Sequence, residues 1–336
     1  MPCVPKMLNK ISLTNFRNYA KREFGFDKNN IIIGDNGAGK SNIMEAIYML
    51  ATGKSFRADY DNEMILYNAQ CSVLSAQSPE IELKITISDR KKFEVNGIPR
   101  RQIDFVGNMR AVLFAPQDME LVTGSPGGRR RYLDFVITQM DREYRRCLIS
   151  YEKGLRQRNK LLSLIREGLA SRHQLYFWDR LLIKDGEYLT LARERYLGDL
   201  GDGGDMGYRG IYDKSIITQE RLKQYEVEEV ASATTLVGPH RDDFQVLMDT
   251  KDVSKYGSRG QQRMAVLGLK KHEVQWLKGT EAQSPLLLLD DIFSELDHNH
   301  REEVMKLISD YPGQVIATTT DEHLLSKNEV SYIILK

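Results

Sequence analysis

Apolar residues alternate through Ile11 and Leu13 to Phe16, and an unbroken apolar run, Ile31 to Ile33, stops at Gly34. Alternation is the period of a half-buried strand and a short closed run that of a fully buried one, so both segments predict strands. Ser41 to Ala51 reads as a helix. Ile81, Leu83, Ile85 and Ile87 alternate with polar neighbours; Asp89-Arg90 then precedes Lys92 to Val95 and the turn dipeptide Asn96-Gly97, which together predict an antiparallel β segment. Ala111 to Ala115 reads as a buried strand.

Beyond it the period changes. Leu133, Ile137, Met140, Tyr144, Cys147 and Tyr151 alternate spacings of four and three, the rhythm of a helix packed on a helix. Leu175, Trp178, Leu182, Leu189, Ala192 and Tyr196 repeat that rhythm after a break near Gly168, so a helical hairpin is expected. Gly198, Gly201, Gly203, Gly204 and Gly207, interleaved with aspartates, read as a flexible connector closing this lobe. Phe244 to Met248 and Leu286 to Leu289 predict strands, with a helix between them from about Gly260 to Leu277. Val315 to Thr318 and Tyr332 to Leu335 predict terminal strands.

Length adds scale: 336 residues suggest two domains, or one large domain carrying an inserted lobe. No apolar run is long enough to cross a membrane, and the N-terminal MPCVPKMLNK lacks the apolar stretch of a secretory signal. Cys3, Cys71 and Cys147 are scattered and odd in number, which fits neither a disulfide framework nor a metal knuckle and agrees with a reducing cytoplasm. Net charge is +1, so any nucleic-acid contact must come from local clustering.

Candidate chemistry begins at Gly34-Asp35-Asn36-Gly37-Ala38-Gly39-Lys40-Ser41, which satisfies the P-loop pattern G-x-x-x-x-G-K-[ST]. A strand enters this loop and a helix leaves it, so small residues let backbone N–H groups converge on phosphate oxygens at the positive end of a helix. Lys40 would reach the β and γ phosphates of ATP, and the Ser41 hydroxyl would ligate Mg²⁺; Asn42, next on the helix, joins the nucleotide-binding set. Leu286 to Leu289 then deliver Asp290 and Asp291 at a strand end, where an open α/β sheet places its ligands. Asp290 is the natural Mg²⁺ partner and Asp291 the candidate general base for water. Paired aspartates also suit the cap of a following helix.

Tyr256-Gly257-Ser258-Arg259-Gly260-Gln261-Gln262-Arg263 resembles the signature segment of ABC-type ATPases, Ser294 to Asp297 their D-loop and Phe114-Ala115-Pro116-Gln117-Asp118 their Q-loop region. Asn15 to Tyr19, Gly53 to Arg57, Arg129 to Asp134, Gly238 to Asp243 and Leu289 to Asp297 resemble, in register and across essentially the whole chain, the motifs of the RecF family of bacterial recombinational repair. The resemblance implies an α/β fold: an ABC-type P-loop ATPase head with an antiparallel β part and an inserted α-helical lobe. The head would occupy residues 7–128 and 236–336 and the lobe residues 129–235. It further implies that Ser258, Gly260 and Gln261 grip the γ-phosphate held by a second copy, that Gln117 assists Asp290 at the metal, and that ATP closes a homodimer on gapped DNA or single-stranded/duplex junctions. Mediators of the RecO and RecR type would be its partners in recombinase loading. Gln117 departs from the glutamate common in this family, and no histidine stands directly after the strand ending at Thr318 to Thr320, where transport ATPases carry a switch residue. Met7 aligns with the usual family start.

Other residues carry two readings each. Arg129, Arg130 and Arg131 suit either a DNA backbone or an internal salt-bridge cluster. Arg57 suits either a nucleotide or DNA sensor, as the resemblance to SMC-type heads suggests, or a plain surface arginine. His298, His300 and His323 match no zinc spacing. His240 is expected to be structural or to lie at a head interface.

Overall fold

The computed structural model describes residues 7–200, 207–279, 284–291, 310–320 and 330–335. The chain divides into two compact units, one running to Asp118 and resuming at Lys270, the other spanning Met119–Leu269. Its strands, in chain order, are β1 (Lys10–Phe16), β2 (Tyr19–Gly25), β3 (Asn29–Ile33), β4 (Ser72–Gln77), β5 (Glu82–Ile87), β6 (Lys92–Val95), β7 (Ile98–Arg100), β8 (Ala111–Phe114), β9 (Tyr208–Asp213), β10 (Asp243–Met248), β11 (Lys251–Asp252), β12 (Leu286–Leu289), β13 (Val315–Thr319) and β14 (Ser331–Ile334).

In the first unit β14-β3-β13-β12-β8 form a parallel sheet. β8, β12 and β13 are buried at every position, as expected of strands covered on both faces. That is why their sequences are apolar runs and not alternations. The second sheet, β2-β1-β4-β5-β6-β7, is antiparallel. Ile11, Leu13 and Phe16 of β1 and Leu83, Ile85 and Ile87 of β5 point inward. Asn96 and Gly97 both take positive φ, 52° and 72°, the two-residue turn that lets β6 and β7 pair without splaying. The helix Lys40–Thr52 packs against strands of both sheets and is buried from Ile43 through Thr52, so it shows little amphipathic contrast.

In the second unit the expected hairpin is present as helices Arg142–Arg166 and Tyr176–Asp199, with Gly168 in the left-handed region at φ 75° in the loop. One expectation is corrected. The rhythm from Leu133 to Tyr151 is two helices, Pro126–Met140 and Arg142–Arg166, because Asp141 leaves helical geometry and its carboxylate accepts from the Tyr144 N–H as an N-cap. The pattern reads through the break since residues on both sides, Ile137 and Tyr144 among them, are buried. Strands β11-β10-β9 form a small antiparallel sheet. The anticipated lobe limits at 129 and 235 fall inside this unit. Most of the glycine-rich connector, residues 201–206, lies outside the described residues.

Candidate functional site

The parallel sheet gathers the chemistry of the first unit at the C-terminal ends of its strands. β3 ends at Ile33 and the chain turns through Gly37 (φ 86°) and Gly39 (φ 104°) into the helix that begins at Lys40. Gly39 is required twice over: its backbone is left-handed, and a Cβ there would collide with the Tyr19 hydroxyl and the Asn18 amide. The Lys40 ammonium donates to the carbonyls of Gly34 at 2.6 Å and Asp35 at 3.0 Å, which holds the cation at the loop.

Two strands away, β12 delivers Asp290, whose N–H bonds the Phe114 carbonyl of β8 at 2.8 Å. Asp290 Oδ1 accepts from Ser41 Oγ at 3.1 Å and from Thr318 Oγ1 at 2.8 Å. Burial raises the Asp290 pKa, opposed by those two hydrogen bonds and by the charge of Arg57. A hydroxyl and a carboxylate, both hard oxygen donors, with the carboxylate penalised by burial, suit Mg²⁺, whose charge would offset that penalty. The residues fit the ion. Asp291 follows at φ 49°, with its N–H donating to Thr318 Oγ1 at 2.8 Å. Gln117 is exposed on the turn after β8, and its side chain makes no hydrogen bond to a described residue.

A second layer backs the P-loop helix. Arg17 makes a two-point ion pair with the fully buried Glu45, Nε to Oε2 at 2.8 Å and Nη2 to Oε1 at 2.7 Å. Ser55 donates to the same Glu45, and its Oγ accepts from the N–H groups of Arg57 and Ala58. Asn42 stands between two motifs: it donates to Asn18 Oδ1 at 2.9 Å and accepts from Arg57 Nη1 at 3.2 Å. The segments Asn15 to Tyr19 and Gly53 to Arg57, distant in sequence, are thereby built around one loop.

The RecF/RecN/SMC N-terminal domain family matches residues 7–336. A DNA replication and repair protein RecF of Herpetosiphon aurantiacus is 36% identical, with 97% of this chain and 96% of the relative covered. Its counterpart from Thermomicrobium roseum is 34% identical over 90% of each chain. The chain belongs to the RecF family. The solved structure of the recombination mediator protein RecF with ATPrS in the RecFOR pathway superposes at a TM-score of 0.89, with 29% identity, over 99% of this chain and 98% of that one. The α/β ATPase-head fold of RecF and SMC proteins is therefore the fold of this chain.

The remaining RecF-like segments meet inside the second unit. Arg129 pairs with Asp243 through Nε at 2.6 Å and Nη2 at 2.8 Å, and Arg130 donates to the Asp242 carbonyl at 2.7 Å. The Arg131 guanidinium lies over the Phe135 ring. Of the two readings of this arginine run, the internal one describes Arg129 and Arg130. Buried Arg193 joins Asp134 at 2.9 Å to Asp242 at 3.1 Å, and Asp242 also accepts from Tyr212 and from the Ser215 N–H. His240 sits between the Tyr151 hydroxyl and the Thr235 carbonyl, and burial depresses its pKa to about 4. A neutral ring satisfied on both nitrogens is structural.

The signature segment opens the helix Arg259–Lys278. Ser258 Oγ accepts from the Gln261 N–H at 3.3 Å while Gln261 Oε1 accepts from the Ser258 N–H at 2.8 Å, a reciprocal capping box. Both residues therefore have a local task in addition to the one the family resemblance implies. Further along, buried Lys270 pairs with Asp118 and Glu273, each at 3.2 Å, beside the Gln117 turn. The periodicity of a polar helix gave no sign of that ion. Ser294 to Asp297, His298, His300 and His323 lie outside the described residues.

Proposed function

We propose that this protein is a Mg²⁺-dependent ATPase acting in DNA replication and recombinational repair, which uses ATP to close a homodimer on gapped DNA and so aids recombinase loading. The observation that carries the reading is the hydrogen bond from Ser41 of the P-loop to Asp290 at the end of β12, with Asp291 next in chain and held from β13. Gly34 to Ser41 and Asn42 bind the nucleotide, and Lys40 exchanges its loop carbonyls for phosphate oxygens. Ser41, Asp290 and Gln117 would hold Mg²⁺, which when bound would supply charge neutralisation for the phosphates. Asp291 orients water and accepts its proton as the oxygen attacks the γ-phosphorus; the β,γ bond breaks, and ADP and phosphate leave.

Ser258, Gly260 and Gln261 of the second copy complete the site, so hydrolysis awaits dimer closure. Turnover is slow, is stimulated by DNA and reopens the dimer. Mediators of the RecO and RecR type are its partners and the cytoplasm its compartment. Support comes from relatives named for replication and repair and from the RecFOR-pathway structure with ATPrS. The test is sedimentation of the protein with and without ATP and gapped DNA, alongside phosphate release. ATP-dependent dimers and DNA-stimulated release are expected. A protein that stays monomeric with ATP and DNA would refute the closure reading.

A further inference from the structure

We propose that Thr318 is a positioning residue that locks Asp290 and Asp291 into one rigid pair through a single hydroxyl. The inference rests on the ATPase reading above and adds a residue that no motif marks.

Thr318 lies on β13, which is held on both sides, by β3 and by β12. Ala317 pairs with Leu289, so Thr318 stands level with Asp290, while its other neighbour is Ile32, one residue before the end of β3. The side chain is fully buried. A valine would fill the same space and suit a parallel strand equally well, and a buried hydroxyl is unfavourable unless its hydrogen bonds are made. Here both of its capacities are used on the catalytic pair. The proton goes to Asp290 Oδ1 at 2.8 Å, and a lone pair receives the Asp291 N–H at 2.8 Å.

Each bond has a consequence for chemistry. Among the described residues, the hydrogen bonds to the Asp290 carboxylate come from Ser41 and Thr318 and both fall on Oδ1, so the group has a fixed orientation and Oδ2 is left for a metal. Fixing a ligating carboxylate in this way is what outer-shell partners do at metal sites. The second bond stabilises an unusual backbone. Asp291 is left-handed at φ 49°, a posture that aspartate tolerates better than most residues but does not prefer. The Thr318 oxygen ties down the N–H of that residue, and so fixes the root of the water-orienting carboxylate. A single side chain on an interior strand of the sheet thus sets the spacing between metal ligand and base.

The test uses full-length protein with Thr318→Val, which removes the hydroxyl at constant shape, and Thr318→Ser, which keeps it. Mn²⁺ binding to the complex with a non-hydrolysable ATP analogue is read by electron paramagnetic resonance, beside kcat and KM for ATP with Mg²⁺. Thr318→Val should weaken Mn²⁺ binding and lower kcat by roughly ten- to a hundredfold each, while nucleotide affinity without metal holds. Thr318→Ser should recover most of both. Valine matching the parent in metal binding and kcat would overturn the inference, as would serine failing as badly as valine. If valine does not fold, judged by circular dichroism, Thr318→Ala against Thr318→Ser decides: alanine equal to serine overturns it. A parent that binds no ATP removes the ATPase reading and this inference together. A parent that turns ATP over while Thr318→Val does the same removes this inference alone.

Discussion

Arg129 holds Asp243 by two parallel hydrogen bonds, which join the arginine run at the start of one helix to the end of the Gly-Pro-His-Arg-Asp-Asp segment more than a hundred residues later. Side-chain exposure is only 11% and 21%. Removing one partner of such a pair leaves the other charge poorly solvated, so Arg129→Ala should cost about 2–4 kcal/mol of stability. Urea melts measure this. The salt dependence of DNA binding should be unaltered, whereas loss of a true phosphate contact would reduce the slope of log affinity against log salt by roughly 0.7 to 0.9. A flattened slope with unchanged stability would return Arg129 to the DNA surface.

Lys40 is buried at the P-loop, and among the described residues its ammonium bonds two loop carbonyls. Its replacement by alanine should abolish productive ATP binding and leave the circular dichroism spectrum intact, because the carbonyls it releases lie in a loop and not in the core. Labelled ATP binding decides the matter. Undiminished affinity would sink the phosphate assignment.

The P-loop and the Asp290-Asp291 pair are legible in the sequence because the first is a contiguous run between a strand and a helix and the second directly follows a contiguous apolar strand. Thr318 is not, since its meaning depends on the register of β13 against β12, a relation between segments far apart in the chain. Arg158 was equally hidden. It lies on a helix rich in solvated charges, but it is fully buried against Asp179, Glu229 and Thr235. Strand β2 leaves no pattern in the sequence for a different reason: it is an edge strand whose central Ala20 to Glu23 are exposed, so burial imposes no alternation on it. The break at Asp141 was invisible because capping costs the apolar rhythm nothing.

His240 makes stability depend on pH. Its folded pKa of about 4 lies below the ordinary 6.5 because burial penalises the charged ring. The unfolded chain therefore takes up the proton first as pH falls. The contribution is complete above about pH 6.5 and is lost progressively towards pH 4, on the order of 1–3 kcal/mol. His240→Gln should flatten that part of the stability profile. Chemical denaturation at pH 7.0, 5.5 and 4.5, roughly spanning the window, compares the two proteins; parallel profiles would mean that the ring is not held neutral.

A site completed by Ser258 of a second copy, as proposed above, makes two separately defective variants able to complement each other. Asp291→Asn and Ser258→Ala should each hydrolyse ATP poorly. In a mixed dimer one composite site would combine both defects, whereas the other would take Asp291 from the signature variant and Ser258 from the carboxylate variant, and be intact. Random mixing makes half the dimers mixed and half of their sites intact, so recovery of up to about one quarter of the parent rate is expected. The reciprocal cap between Ser258 and Gln261 adds a control. Alanine at 258 also removes a helix cap worth about 1 kcal/mol, so a frayed helix start could imitate a lost γ-phosphate contact. Ser258→Asn keeps a capping oxygen without the hydroxyl. Equal loss in the asparagine and alanine variants, with recovery of both on mixing, places the defect at the shared nucleotide. If asparagine alone preserves activity, the cap is what matters. Zero recovery, while differently labelled subunits demonstrably form mixed dimers with ATP, would mean that each signature serves its own subunit's nucleotide.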